Sequence, residues 1–374
     1  MKGHLQRRGE RSWRLKYDVG SDAVGDRQTR YVTLRGTKAE AQKAAAKILA
    51  TVATGTHVDP SSETVCDFVE RWLRDWGTAN LSALTLEGYS QMLRKHLCAR
   101  VGSVPIQRLR ASDLQAAYAA MARDGLADRT RLHLHRIVHV MFKHAVQWGI
   151  LPRNVADMLD APRVRAHEIE VLKPGQVQAV LEALRGQPLR LIAAVALATG
   201  LRRGELLALR WQDLDLDGGT LRVEQALEQT QRGGLVFKAP KTRHGRRTVT
   251  LPVSTVALLR DHWKAQQEQR LALGLGKAPD DALVFPDWDG SPRAPRTLTQ
   301  QWQKQMKTMG LKATFHSLRH THASTLIAAG LDVLTVSRRL GHGSPAITLT
   351  VYGHLFKPDD RAAAIMEKAL KGMG

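Results

Sequence analysis

The sequence predicts a multidomain chain, mostly α with small β-sheets: an N-terminal β-sheet plus helix over residues 1–58, a four-helix bundle over 63–162 and an α+β domain over 170–374. Three observations predict it. Strand-like alternation is confined to short stretches near residues 12–17, 29–34 and 220–251, while helical periodicity fills most of the remainder. Two connecting stretches, 55–62 and 162–174, interrupt the patterns. The length, 374 residues, suits two or three domains.

In the first segment Ser12-Trp13-Arg14-Leu15-Lys16-Tyr17 alternates, residues 20–26 read as a turn, and Thr29-Arg30-Tyr31-Val32-Thr33-Leu34 alternates again. Thr37 with Glu40 forms a capping box for an alanine-rich helix running to Ala53. Twelve Lys and Arg against five acids give residues 1–58 a net charge of +7. Arg14, Lys16 and Arg30 alternate with Trp13, Tyr17 and Tyr31 along the strands, giving a small sheet with one basic face. Such a face can lie in a DNA groove; the alternative is a solvated basic sheet.

From Glu63 to about Asp160 the pattern is helical throughout. Val65, Phe68, Val69, Trp72, Leu73 and Trp76 make the first apolar stripe; helices over 82–97, 112–123 and 128–148 follow. Most of these apolar residues are core. The basic positions Arg94, Lys95, Arg129, Arg131, Arg136 and Lys143 face either phosphates or solvent.

The C-terminal segment starts with helices over 175–184 and 189–198, broken by Thr199-Gly200-Leu201-Arg202-Arg203-Gly204-Glu205. Strands are expected over 220–224, 235–238 and 247–251, with the basic turn Lys241–Arg246 between the last two. Long helices over 254–274 and 297–310 precede the closing stretch. There His316 and Arg319 share a helix face, Gly330 and Gly341 end helices, and Ser344-Pro345 opens the helix that carries Tyr352.

The formal net charge is +21, and an excess this large points to a polyanionic partner. Anionic membrane is the competing explanation, but no signal peptide, lipidation motif or membrane-spanning run is read, so no membrane partner is expected. Cys66 and Cys98 fit no metal spacing and suggest a reducing, cytoplasmic setting. His316 and His320 have the spacing of a zinc-protease pair, but Ser317 stands where that motif needs Glu, so no metal is expected. His320 and His322 read as packing or surface histidines.

Four separated pieces belong together: Thr199-Gly200-Leu201-Arg202-x-Gly-Glu205; Pro240-Lys241-Thr242; His316-x-x-Arg319-His320-Thr321; and Leu340-Gly341-His342, ten residues before Tyr352. This pattern resembles the tyrosine recombinases, specifically phage-type integrases, over the whole C-terminal domain. The bundle is similar to the family's core-type DNA-binding domain, and residues 1–58 resemble its arm-type DNA-binding domains. The resemblance implies a site-specific DNA recombinase, with Tyr352 attacking the scissile phosphate to give a 3′-phosphotyrosine. Arg202 and Arg319 would grip phosphoryl oxygens, and Lys241 would protonate the leaving 5′-oxygen. His316 would serve proton transfer at the tyrosine, His342 would donate to a non-bridging oxygen, and Glu205 would support the site. Lys238 is the rival to Lys241. No cofactor is implied. Expected partners are double-stranded DNA at core and arm attachment sites, further copies of the chain in a homotetramer, a host DNA-bending protein and an excision factor. In related enzymes a tail such as the amphipathic stretch 360–370 docks on a neighbouring subunit. A type IB topoisomerase and a DNA-binding regulator without chemistry are the alternatives.

Overall fold

A computed structural model of the chain describes residues 3–21, 25–54, 57–164, 169–240, 243–356 and 362–371. The chain forms two compact units, Met1–Ala166 and His167–Gly374. The architecture is mostly helical with small sheets.

The first unit opens with an antiparallel three-stranded sheet, β1 (His4–Gly9), β2 (Ser12–Ser21) and β3 (Arg27–Arg35), in that order. β1 was not apparent in the sequence pattern, because its residues are mostly polar and exposed. Helix α1 (Lys38–Ala53) follows, with the expected Thr37–Glu40 capping box at its start. Alternation along β2 buries Leu15 and Tyr17, which join Val32, Leu34, Ile48 and Leu49 in one apolar cluster. The same alternation sends Arg14 and Lys16 to the open face. There Tyr31, 59% exposed, pairs across from Lys16, and the cations of Arg14 and Lys16 lie 5.9 and 6.0 Å from its ring centre.

The helical part comprises α2 (Val65–Trp72), α3 (Thr78–Asn80), α4 (Ala83–Met92), α5 (Ala99–Val101), α6 (Ala111–Arg123) and α7 (Asp128–Gln147). Two of the expected continuous helices contain a π turn, at Leu73–Gly77 and Leu93–Cys98. Trp72 and Trp76 stack at 4.9 Å, and Trp72 Nε1 donates to His144 Nδ1 at 2.7 Å, tying α2 to α7. The core between these helices includes Phe68, Trp72, Leu93, Leu97, Leu114, Met121, Leu134 and Phe142.

The stretch joining sheet and bundle is bonded at both ends. Tyr17 Oη and His57 Nε2 share a hydrogen bond of 3.0 Å, and Arg30 Nε donates to Asp59 Oδ2 at 3.3 Å. On the bundle side Gln107 Nε2 donates to Asp59 O at 2.8 Å and to Ile150 O at 3.2 Å, while its Oε1 accepts from Ser61 N at 3.0 Å.

The second unit packs α8 (Pro174–Ala183), α9 (Pro188–Thr199), α10 (Arg203–Leu207), α11 (Val253–Ala272), α12 (Pro295–Thr308) and α13 (Phe315–Ala328) around small sheets. The strands are β4 (Leu214–Asp215), β5 (Thr220–Val223), β6 (Ala226–Thr230), β7 (Gly234–Lys238) and β8 (Arg247–Thr250). β7 does not join the other expected strands. It pairs with β6 as a separate hairpin, while β4, β5 and β8 form the three-stranded sheet. The unit closes with α14 (Val333–Leu340), α15 (Pro345–Tyr352) and α16 (Ala362–Lys371). Met366 and Leu370 of α16 are exposed. Among the described residues no helix is long and apolar enough to cross a membrane.

Candidate active site

The site is assembled from helix ends. α9 terminates at Gly200 and α14 at Gly341, both left-handed with φ of 66°. A helix end leaves its last carbonyls without intrahelical partners; the left-handed cap satisfies some of them, and the rest carry the negative end of the helix dipole. Arginines fill both ends. Arg319 Nη1 donates to Gly200 O and its Nη2 to Leu340 O, each at 2.7 Å. Arg202 Nη2 donates to Gly341 O at 3.0 Å. Arg319 is only 3% exposed, whereas the Arg202 side chain is 42% exposed and offers its guanidinium to a ligand.

Both glycines are required for more than their torsion. A Cβ on Gly200 would lie 2.6 Å from His322 Cδ2. One on Gly341 would lie 2.7 Å from Arg247 Nη1 and 2.9 Å from His244 O.

Glu205 binds the first arginine and a second one that sequence reasoning missed. Its Oε1 accepts from Arg202 Nη1 at 2.7 Å, and its Oε2 accepts from Arg202 N at 3.0 Å and from Arg247 Nη2 at 2.9 Å. Arg247 is almost fully enclosed and also donates through Nε to Arg339 O at 2.8 Å. Burial alone would raise the Glu205 carboxyl. The hydrogen bond and charge of Arg247, with Arg202 behind it, outweigh burial and hold it below the usual carboxylate range. The signal for Arg247 was partial: Arg247 and Val249 of β8 and Leu251 just beyond it fall on one face, and the two apolar members are buried, but nothing local names Glu205 as its partner.

His316 lies in the first turn of α13. Burial, then Arg319, Arg202 and Arg203, lower its pKa. His342 follows Gly341, and its Nδ1 shares a 2.8 Å hydrogen bond with the hydroxyl of fully buried Thr348. Burial, followed by Arg319, Arg202, Arg247 and His316, depresses His342 to about 4, so its ring is neutral near pH 7.

Tyr352 ends α15, is 1% exposed and packs with Ala323, Ile327, Val336 and Leu340. Burial raises its phenol to about 12 despite the opposing pull of Arg319. The hydroxyl is bonded to His320 Nδ1 at 2.7 Å. His320, read from the sequence as packing or surface, therefore touches the phenol, whereas His316 stacks edge-on against His320 with ring centres 4.7 Å apart. His322 does pack. It shares a 2.7 Å bond with Leu197 O and accepts from Arg339 Nε at 3.1 Å, tying α9, α13 and α14 together.

Thus Arg202, Glu205, His316, Arg319, His342 and Tyr352 converge. Lys241 lies outside the described residues. Its rival Lys238 is ion-paired with Glu228. Among the described residues no group of three or more His, Cys, Asp or Glu is placed to hold a metal ion.

The tentative nucleic-acid contacts separate into kinds. Arg14 and Lys16 share the open sheet face. Arg30 is on the other face, because it is adjacent to Tyr31 along β3 and pairs across from buried Tyr17. Arg94 forks onto Glu70 with both bonds at 2.6 Å, and Arg131 is ion-paired with Asp128. Lys95 is exposed.

Comparison with known proteins agrees with this geometry. Residues 170–358 match the model of the phage integrase family. An integrase of Streptomyces ambofaciens is 30% identical over 369 residues, covering 95% of this chain and 92% of its own. A XerC-like tyrosine recombinase of Caldanaerobacter subterraneus subsp. tengcongensis is 27% identical over 97% of both chains. Among solved structures, the Tn1549 transposon integrase in complex with a circular intermediate DNA superposes with a TM-score of 0.70 at 23% identity, over 82% of this chain and 100% of that one. A lambda integrase tetramer bound to a Holliday junction gives 0.59 at 18% identity, over 96% and 95% of the two chains. With its arginines, histidines and tyrosine gathered at helix ends and 95% of its length matched by an integrase, the chain belongs to the phage integrase family and is a site-specific tyrosine recombinase.

Proposed function

We propose that this recombinase cleaves and rejoins double-stranded DNA through a 3′-phosphotyrosine on Tyr352, integrating or excising a mobile element. The observation that carries this reading is the charge arrangement at the helix ends. Arg202, Arg319 and Arg247 face one carboxylate, Glu205, leaving a net excess of two positive charges in a largely buried site. A phosphodiester brings one negative charge, and its pentacoordinate transition state develops a second. Fixed donors in a poorly solvated site favour the state with more charge.

In this reading Arg202 binds non-bridging oxygens through its exposed guanidinium, and Arg319 supports it from behind. Arg319 is lowered by burial and by Arg202 to about 9 and so stays charged at neutral pH. His342 donates to a non-bridging oxygen, with Thr348 fixing the ring. Glu205 orients Arg202 and does not touch the phosphate. Lys241 protonates the departing 5′-oxygen. The bond energy is kept in the tyrosyl phosphodiester, so a second 5′-hydroxyl can rejoin the strand.

The N-terminal sheet, with Arg14, Lys16 and Tyr31 on one face, suits arm-type DNA, and the helical bundle suits core-type DNA. Assembly as a tetramer on DNA follows by analogy with the lambda integrase bound to a Holliday junction. Exposed Met366 and Leu370 give α16 an apolar edge suited to a neighbouring copy.

The test is a nicked suicide substrate carrying the core site. The wild-type chain should leave a protein–DNA adduct on denaturing gels, in excess EDTA as well as without it, and Tyr352→Phe should leave none. An adduct in the variant would move the nucleophile elsewhere, and one lost in EDTA would require a metal.

A further inference from the structure

Two histidines one turn apart on α13 face the site, and they differ in what they touch. His316 lies beside Arg202, Arg203 and Arg319. His320 reaches the reacting oxygen itself: its Nδ1 is 2.7 Å from Tyr352 Oη. With Tyr352 only 1% exposed, solvent is excluded from this contact. The charged and titratable neighbours of His320 are His316 and Arg319 on its own helix and Tyr352 on α15. Burial, then His316 and Arg319, lower His320 to about 4, so near pH 7 its ring is neutral and has a lone pair for the phenolic proton.

We propose that His320 is a catalytic residue whose Nδ1 accepts the Tyr352 hydroxyl proton as the phenolic oxygen attacks the scissile phosphorus. This rests on the reading of Tyr352 as nucleophile. The bond from Oη to phosphorus forms as the bond from phosphorus to the bridging 5′-oxygen breaks. The electron pair leaves on that oxygen, which takes its proton from Lys241, and the phenolic proton stays on His320 as imidazolium. On rejoining, the imidazolium returns its proton to the departing phenolic oxygen, and the attacking 5′-hydroxyl gives its own to the Lys241 amine. Burial is the first cause of that lowering, followed by His316 and Arg319; a phosphodiester bound near Arg319 offsets that cation's share and so favours the imidazolium at the step that needs it.

His320→Asn tests this, because an amide can keep a hydrogen bond at the Nδ1 position but cannot carry a proton. Single-turnover cleavage by the full chain should slow by about 10²-fold or more at pH 7, with DNA binding and melting temperature close to wild type. The residual rate should climb with pH, since phenolate must now form unaided. Replacing Tyr352 by 3,5-difluorotyrosine, whose phenol ionises more readily, should restore most of the lost rate in the His320→Asn background. Cleavage within about threefold of wild type, or a defect indifferent to pH and to phenol acidity, would overturn the assignment and leave His320 a packing contact. The gel also carries the unsubstituted chain and Tyr352→Phe. No adduct from the first, or an adduct from the second, would overturn the nucleophile reading as well, which separates the two failures.

Discussion

Arg247 and Glu205 form a buried ion pair 42 residues apart in sequence, with Nη2 2.9 Å from Oε2 and both side chains under 10% exposed. Through it the β8 edge fixes the carboxylate that orients Arg202, and Arg247 itself lies against Gly341. Removing one partner of such a pair leaves a buried charge uncompensated, at a cost of about 3–5 kcal/mol. Arg247→Ala should therefore destabilise the chain by roughly that amount in urea unfolding. It should also slow cleavage, although Arg247 makes no contact with DNA in this reading. A double-mutant cycle with Glu205→Gln should give a coupling above about 1 kcal/mol; a coupling near zero would detach Arg247 from the site.

Acid sensitivity should trace in part to His322. An unfolded histidine takes up its proton near pH 6.5, and His322, pushed down by burial and Arg339, does so only at about 4. Between those values the unfolded chain binds more protons, so stability is full above the upper one and falls as pH drops through the window. The loss attributable to this 7%-exposed ring is about 3 kcal/mol. His322→Gln does not titrate, and urea midpoints at pH 7.5, 5.5 and 4.5 should fall less steeply for it than for wild type. Parallel curves would remove His322 as the cause.

How much of this was legible in the sequence depends on whether a residue's partner is local. Arg202, Arg319, His342 and Tyr352 sit in short motifs whose glycines and caps fix helix ends, and those ends were readable. Arg247 looked like one more surface cation, because Glu205 reaches it only through the tertiary fold. Histidine spacing put His316 and His320 on one face but could not say which would meet a tyrosine 32 or more residues downstream. His322, two positions further on, is turned toward α9 instead. In the N-terminal sheet, period-2 alternation correctly separated Arg14 and Lys16 from Leu15 and Tyr17. The same rule, applied strictly, would have set Arg30 apart from them. β1 and β6 were missed because they carry few large apolar residues to mark an alternation.

The role of Lys241 as general acid is tested by changing the leaving group. Lys241→Ala should cleave ordinary DNA about 10²–10⁴-fold more slowly than wild type. With the bridging 5′-oxygen replaced by sulfur, which leaves without a proton, it should cleave at nearly the wild-type rate. Arg202→Ala should gain nothing from sulfur, because its contacts are to non-bridging oxygens. Equal defects on both substrates for Lys241→Ala would make another group the acid.

Deleting residues 1–58 removes the sheet and His57 but spares the bonds of Asp59 and Ser61 to Gln107. Cleavage at an isolated core site should persist, while recombination that depends on distant arm sites should fail. Footprints would show protection lost at arm sites only; an unchanged footprint would make the sheet a solubility appendage.

The most direct measurement is the chemical identity of the covalent link. The wild-type chain, trapped on a suicide substrate and digested with protease and nuclease, should yield one nucleotide-bearing peptide by mass spectrometry. The account predicts that the modified residue is Tyr352 and that it is joined through the 3′-phosphate, leaving a free 5′-hydroxyl on the other strand end. A nucleotide on any other residue, or a link through the 5′-phosphate, would contradict it.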